Sequence, residues 1–146
     1  MNLVSRYDRC LKITSLFILI PSYNVELYLQ ILFIFQTIIS IIHWNNYKPG
    51  RIQKLDRFLS CIIFLIHIKK IKNIDEIIYL LLCLIIFKLR VGYREKWLIN
   101  HKKRYIIPHS LFRFLSYCFI MKCNNKELKI EITLLYWFLI YLFAKY

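Results

Sequence analysis

The chain is a succession of apolar runs separated by short polar breaks. In order, the runs cover residues 11–21, 27–44, 54–68, 74–89, 106–121 and 130–143. The second is long and interrupted only by Gln30, Gln36, Thr37 and Ser40, and the fourth is nearly continuous Ile and Leu. Crossing a bilayer as a helix takes about 20 mainly apolar residues, so the first run is short for a span. The breaks carry turn chemistry: Pro21-Ser22-Tyr23-Asn24, then Asn45-Asn46-Tyr47-Lys48-Pro49-Gly50-Arg51, then basic segments over 69–73, 90–104 and 122–129. Asp56 and Arg57 fall in the first turn of the third run as drawn, and Pro108 suits the first turn of the fifth. The pattern predicts an all-α integral membrane protein. It is a bundle of about six transmembrane helices forming a single multi-span domain over residues 1–146, or four or five crossings if the short runs lie in the interface.

Composition narrows the class. Apolar residues make up 59% of the chain and mean hydropathy is +0.48, yet there are 22 Lys and Arg and a formal net charge of +14. A soluble domain this apolar is hard to keep in solution, whereas charge confined to loops fits a multi-span protein. The basic excess is not interleaved with a soluble nucleic-acid fold, so the expected partners are membrane lipids and not nucleic acid. With six crossings, one side of the membrane holds both termini and the loops over 44–53 and 90–105. The other side holds six of the 22 basic residues, namely Lys69, Lys70, Lys72, Lys122, Lys126 and Lys129. The positive-inside rule then places both termini in the cytoplasm. Two Gly and one Ala leave few small residues for close helix contacts, so Ser, Thr and Cys are expected on the thin faces. The same bias toward Ile, Leu, Phe, Tyr, Lys and Asn looks like AT-rich coding, as in some large DNA viruses and protozoan parasites. The five cysteines, Cys10, Cys61, Cys83, Cys118 and Cys123, show no metal-finger spacing and read as buried, reduced apolar residues. No small-residue cleavage site follows the first apolar run, so no cleavable signal peptide is expected.

Candidate chemistry gathers at the cytoplasmic level. Ser40 and His43 are three residues apart and share a helix face at the end of the second run, beside Trp44. Alternation of the helices brings Asp56, His101, His109 and Arg113 to the same membrane level, while His67 falls at the opposite end and reads as an ordinary interfacial histidine. Intramembrane ionisable groups are costly and read first as functional. Against this stands a plain reading in which His43 and Trp44 belong to an aromatic belt and Arg113 snorkels to headgroups. No phosphate loop, nucleophile elbow or H-E-x-x-H motif is present.

These stretches, Ser40-Ile41-Ile42-His43-Trp44, Leu55-Asp56-Arg57 and Pro108-His109-Ser110-Leu111-Phe112-Arg113, resemble the alkaline ceramidase and progestin/adipoQ receptor superfamily in order and spacing over residues 10–120. The resemblance implies a membrane protein of seven spans or fewer, with zinc-binding histidines and lipid amide or ester hydrolysis. It implies His43 and His109 as metal ligands and Ser40 and Asp56 as catalytic groups. Asp56 would act as general base or water-orienting group, and Ser40 would stabilise the oxyanion or support a ligand. The final His of the His-x-x-x-His motif is Arg113 here. A guanidinium stays protonated and has no lone pair for a metal, whereas catalytic zinc takes three protein ligands. His101 supplies a third only if the preceding loop folds back.

Two expectations therefore stand side by side. In one, zinc on His43, His109 and a third group activates water. In the other there is no metal: Arg113 replaces the ligand and pairs bidentately with Asp56, and the site is degenerate. A small non-enzymatic membrane protein, acting through helix or anionic-lipid contacts, is the competing class.

Overall fold

The computed structural model describes the backbone of residues 3–23, 25–45, 50–97, 102–127 and 129–145. Side chains of 3–8, 45, 90–97, 102–105 and 144 are outside the description. Among the described residues there are six α-helices and no strand: α1 Leu3–Leu16, α2 Leu27–Asn45, α3 Arg51–Ile68, α4 Ile74–Trp97, α5 Lys102–Cys123 and α6 Ile130–Lys145. A 3-10 segment, Phe17–Ser22, continues α1 through Pro21.

The six apolar runs each fall within or across a helical element, but the helix ends differ. The first helix begins at Leu3, since the basic residues before the apolar run continue the same helical backbone. Asp56 lies one turn deeper than drawn because α3 starts at Arg51, with Gly50 as its N-cap. The segment from Arg90 to Trp97, expected as loop, extends α4 to 24 residues. Arg, Glu and Lys are good helix formers, and hydropathy registers only where the apolar stretch stops. Pro108 sits inside α5 and not in its first turn, so one backbone bond of that helix is missing.

Two helix ends show why they fall where they do. At the start of α4, Glu76 accepts hydrogen bonds from the backbone N–H of Asn73 at 3.1 Å and from that of Lys72, a carboxylate cap satisfying free amides. At the end of α5, Asn125 takes a left-handed conformation (φ 53°). The amide of Lys126 then reaches the Met121 carbonyl at 2.9 Å, and that of Asn125 the Lys122 carbonyl at 2.9 Å. This is a Schellman ending with Asn in the usual glycine place.

Helix α5 is the axis of the bundle. It is buried on every face over 115–121, as a helix surrounded by others must be. α4 packs along it, α2 pairs with α3, and α1 contacts α2, α5 and α6. One core joins Leu29 and Phe33 of α2 with Ile63 of α3, Cys83 of α4, and Phe112, Leu115 and Phe119 of α5. A second joins Cys10, Ile106, Tyr136 and Ile140. Ser15, Ser40, Ser110, Ser116, Cys10, Cys83 and Cys118 are all buried, so small polar and sulfur side chains do occupy the close approaches. Cys61 is the exception to the expected cysteine burial: it lies exposed on α3 and is free.

Much of the described outer surface is apolar. Ile31, Ile34, Phe35 and Ile38 of α2, Phe58 and Leu65 of α3, Ile77, Ile78, Leu81, Leu84 and Ile85 of α4, and Leu134, Leu135 and Phe138 of α6 are all exposed. Gln36, Ser40, His43, Asp56, His67, His109 and Arg113 are all buried. By length and composition one described helix, α2 over Leu27–Trp44 with a hydropathy of 1.7, is long and apolar enough to cross a membrane. Ile130–Phe143 is a shorter apolar stretch.

Candidate functional site

The site is a polar strap across the apolar interior. On α2, Gln36, Ser40 and His43 are spaced at four and three residues, so one stripe of that helix carries all three inward. The facing elements supply Ser15 from α1, Asp56 and Ser60 from α3, and His109 and Arg113 from α5.

Ser40 is fully buried and accepts a hydrogen bond from Arg113 Nη2 at 2.9 Å. Its hydroxyl is also 2.9 Å from that of Ser15, which in turn donates to the Leu11 carbonyl at 3.0 Å. A serine hydroxyl has one proton to give. The Ser15 proton is taken by Leu11, so Ser40 donates to Ser15 and receives from Arg113. The chain of donation therefore runs from α5 through α2 to α1.

Asp56 faces the strap from the other side. Its Oδ1 accepts from Gln36 Nε2 at 2.8 Å, and that same amide group approaches Ser60 Oγ at 2.9 Å and the Asp56 carbonyl at 3.2 Å. Its Oδ2 lies 3.9 Å from Arg113 Nη2. That is longer than the 2.7–2.9 Å of a charge-assisted hydrogen bond, so the expected bidentate pair is not what forms. The carboxylate is turned toward Gln36, and Arg113 spends its direct hydrogen bond on Ser40. The ion pair is an electrostatic contact between α3 and α5 across a gap the two backbones barely close.

His43 and His109 are linked through an indole. The Trp44 ring centroid is 4.6 Å from His43 and 5.0 Å from His109, edge-on to the latter. All three are buried, and Trp44 packs against Leu11. His43, Trp44 and Arg113 are turned into the bundle and not out toward its surroundings, unlike side chains of an outward-facing aromatic belt or a snorkelling arginine.

A catalytic zinc needs three protein donors around one point. Among the described residues, no three His, Cys, Asp or Glu side chains come together so as to hold a metal ion. His43, Asp56 and His109 thus do not form such a group, and His101 lies outside the described residues. Arg113 stands next to Asp56 with a permanent positive charge. The described residues do not fit a catalytic zinc.

The structure brings together Ser40, Asp56 and Arg113, with His43 and His109 joined by Trp44. It adds Gln36, Ser15 and Ser60, which had not been singled out. Gln36 was detectable, since a glutamine four residues before Ser40 in an otherwise apolar helix lies on the same stripe. Ser15 and Ser60 carried no such signal. His67 also differs from the interfacial reading. It is fully buried, with Nδ1 2.7 Å from the Ile63 carbonyl and Nε2 3.1 Å from Asn124 Nδ2.

No known protein family, curated protein or solved structure matches the chain.

Proposed function

We propose that the protein is a multi-span membrane protein with the motif order of the alkaline ceramidase superfamily but without its hydrolytic chemistry, working through contacts with lipids and neighbouring helices. The observation that carries this reading is Arg113, which occupies the ligand position of the motif while bonded to Ser40 and facing Asp56. A fixed cation there ties up the proposed oxyanion group and electrostatically holds the proposed base, leaving neither free to act on a substrate.

Membrane immersion is supported by the distribution of side chains. Large apolar groups face outward on α2, α3, α4 and α6 while Gln36, Asp56 and Arg113 face inward. In lipid that arrangement is favourable, whereas in water so much exposed apolar surface would drive association. The six helices would cross with both termini in the cytoplasm, and the basic loops would meet anionic headgroups.

Zinc content per chain of the purified protein tests the reading, comparing wild type with His43→Ala and Arg113→His, alongside lipid amide and ester hydrolysis. No zinc and no hydrolysis in wild type, with zinc taken up by Arg113→His, is the expected result. About one zinc in wild type, lost in His43→Ala, would overturn it and restore the hydrolase. Absence of zinc from every variant would remove the ceramidase-like scaffold and leave a membrane protein of unrelated origin.

A further inference from the structure

Beside the strap, between α2, α3 and α5, lies a cavity of about 30 Å³. Its wall is mostly apolar, including Phe33, Ile63 and Phe64, but four of its lining side chains are polar and at least nine-tenths buried: Gln36, Arg113, Ser116 and Tyr117. Ser116 donates to the Phe112 carbonyl, whereas the other three each have one atom with no hydrogen-bond partner among the described residues, namely Gln36 Oε1, Arg113 Nε and Tyr117 Oη. Buried polar atoms are rarely left unsatisfied, because each costs about 1–3 kcal/mol.

We infer that this cavity is a hydration site, where water bridges Gln36, Arg113 and Tyr117. The chemistry of the three atoms fits one molecule. Arg113 Nε–H can only donate and Gln36 Oε1 can only accept, while the Tyr117 hydroxyl does either. A water accepts from Arg113, donates to Gln36, and uses its remaining capacity on Tyr117, about the three bonds usual for a buried water. Arg113 and Tyr117 are one turn apart on α5 and so share a face.

The space is ample for water, which needs about 10–15 Å³ of such room, and charge disfavours an ionic occupant. A cation is repelled by the guanidinium, and an anion gains little because Asp56 already faces that charge. The water completes the shell of Arg113, whose direct partners are Ser40 and the more distant Asp56. It accounts for how a guanidinium is kept at the centre of an apolar bundle without a bidentate carboxylate.

Radiolytic hydroxyl-radical labelling of the full chain in lipid nanodiscs, read by mass spectrometry, tests this. Radicals formed from a bound water modify the side chains that touch it. Tyr136 is the internal control: it is buried like Tyr117, the space at its ring has no room for water, and its hydroxyl donates to the Ser110 carbonyl at 2.7 Å. Tyr117 is expected to be labelled several-fold faster than Tyr136 in wild type, and Gln36→Leu should bring it down to the Tyr136 rate. Equal rates in wild type would overturn the inference, and so would unchanged Tyr117 labelling in Gln36→Leu. The wild-type comparison stands even if that variant does not fold. A co-purifying lipid cross-linked to Tyr117 would equally overturn it, because the cavity would then belong to a lipid.

Discussion

Arg113 donates to Ser40 at 2.9 Å across 73 positions of sequence, and in doing so joins the central helix α5 to α2. The same nitrogen stands 3.9 Å from Asp56 on α3. One guanidinium therefore holds three helices from within the buried interior of the bundle. There the consequences of removing it are larger than for a surface pair.

Replacing Arg113 with Met leaves the Asp56 carboxylate buried without its counter-charge. Breaking a buried pair by removing one partner costs about 3–5 kcal/mol. Arg113→Met is expected to lower the unfolding midpoint markedly, and adding Asp56→Asn should recover part of the loss, because the stranded charge is then gone. Thermal unfolding of the two single variants and the double variant, followed by tryptophan fluorescence, gives the coupling. Simple additivity would show that the charges do not sense each other. Arg113→Lys should fall in between, since an ammonium cannot serve Ser40 and Asp56 from a planar fork.

How much of this was legible follows from what hydropathy records. Six apolar runs correspond to six helices because each helix buries or presents its Ile and Leu. The association of Ser40, Asp56 and Arg113 was reachable from alternation of helix direction alone. The bidentate geometry was not: it depends on Gln36 capturing one oxygen of Asp56, a competition between side chains 20 positions apart that no local pattern displays. Helix ends differ from the apolar runs at α1, α3, α4 and α5 because hydropathy says nothing of where backbone hydrogen bonding stops. The burial of His67 was not legible for a related reason. Its partner Asn124 lies in a turn whose position is set by a left-handed residue, Asn125.

The outward face of α4 offers a direct test of immersion. Leu81 is 52% exposed near the middle of the apolar stretch of that helix. If lipid covers it, Leu81→Arg places a guanidinium in hydrocarbon at a cost of about 2.5–3.5 kcal/mol on insertion scales. The variant should then be poorly retained in carbonate-washed membranes, while the already exposed Lys69→Arg at a turn behaves as wild type. If water covers that face instead, Leu81→Arg should change stability by no more than about 0.5 kcal/mol, as at ordinary surface sites.

Acid should loosen the end of the bundle opposite the strap. Glu26, just before α2, accepts a hydrogen bond from Lys70 in the turn between α3 and α4 at 3.0 Å. That bond, with the lysine charge, holds the Glu26 carboxyl below its ordinary value of 4.5. A carboxyl depressed in the folded state contributes stability above its unfolded pKa and loses it as pH falls through the folded one. The pair is exposed, so the effect is small. Glu26→Gln should unfold slightly earlier than wild type at pH 7 and together with it near pH 3. A gap that persists unchanged at pH 3 would show that Glu26 acts by something other than its charge.

The contact between His67 and Asn124 makes the sharpest prediction about that end. The Ile63 carbonyl can only accept, so His67 carries its proton on Nδ1, and Nε2 is left to accept from the Asn124 amide. Asn124 gives a further bond to the Ile120 carbonyl in the last turn of α5, and its oxygen receives Lys70 at 3.3 Å. One side chain thus ties α3 to the terminus of α5 through groups that are all buried or partly so. Asn124→Ala strands the imidazole acceptor and frees a helix carbonyl, a loss of about 1–3 kcal/mol. His67→Phe fills the same space without the nitrogens, so no imidazole acceptor is left needing a partner. The double variant should therefore be less destabilised than the sum of the two, by an interaction term of about 0.5–3 kcal/mol. Unfolding midpoints of the four proteins decide it: additive losses would mean that the two side chains stabilise their own helices separately and that, at this end, α3 and α5 are held together by the apolar core between them.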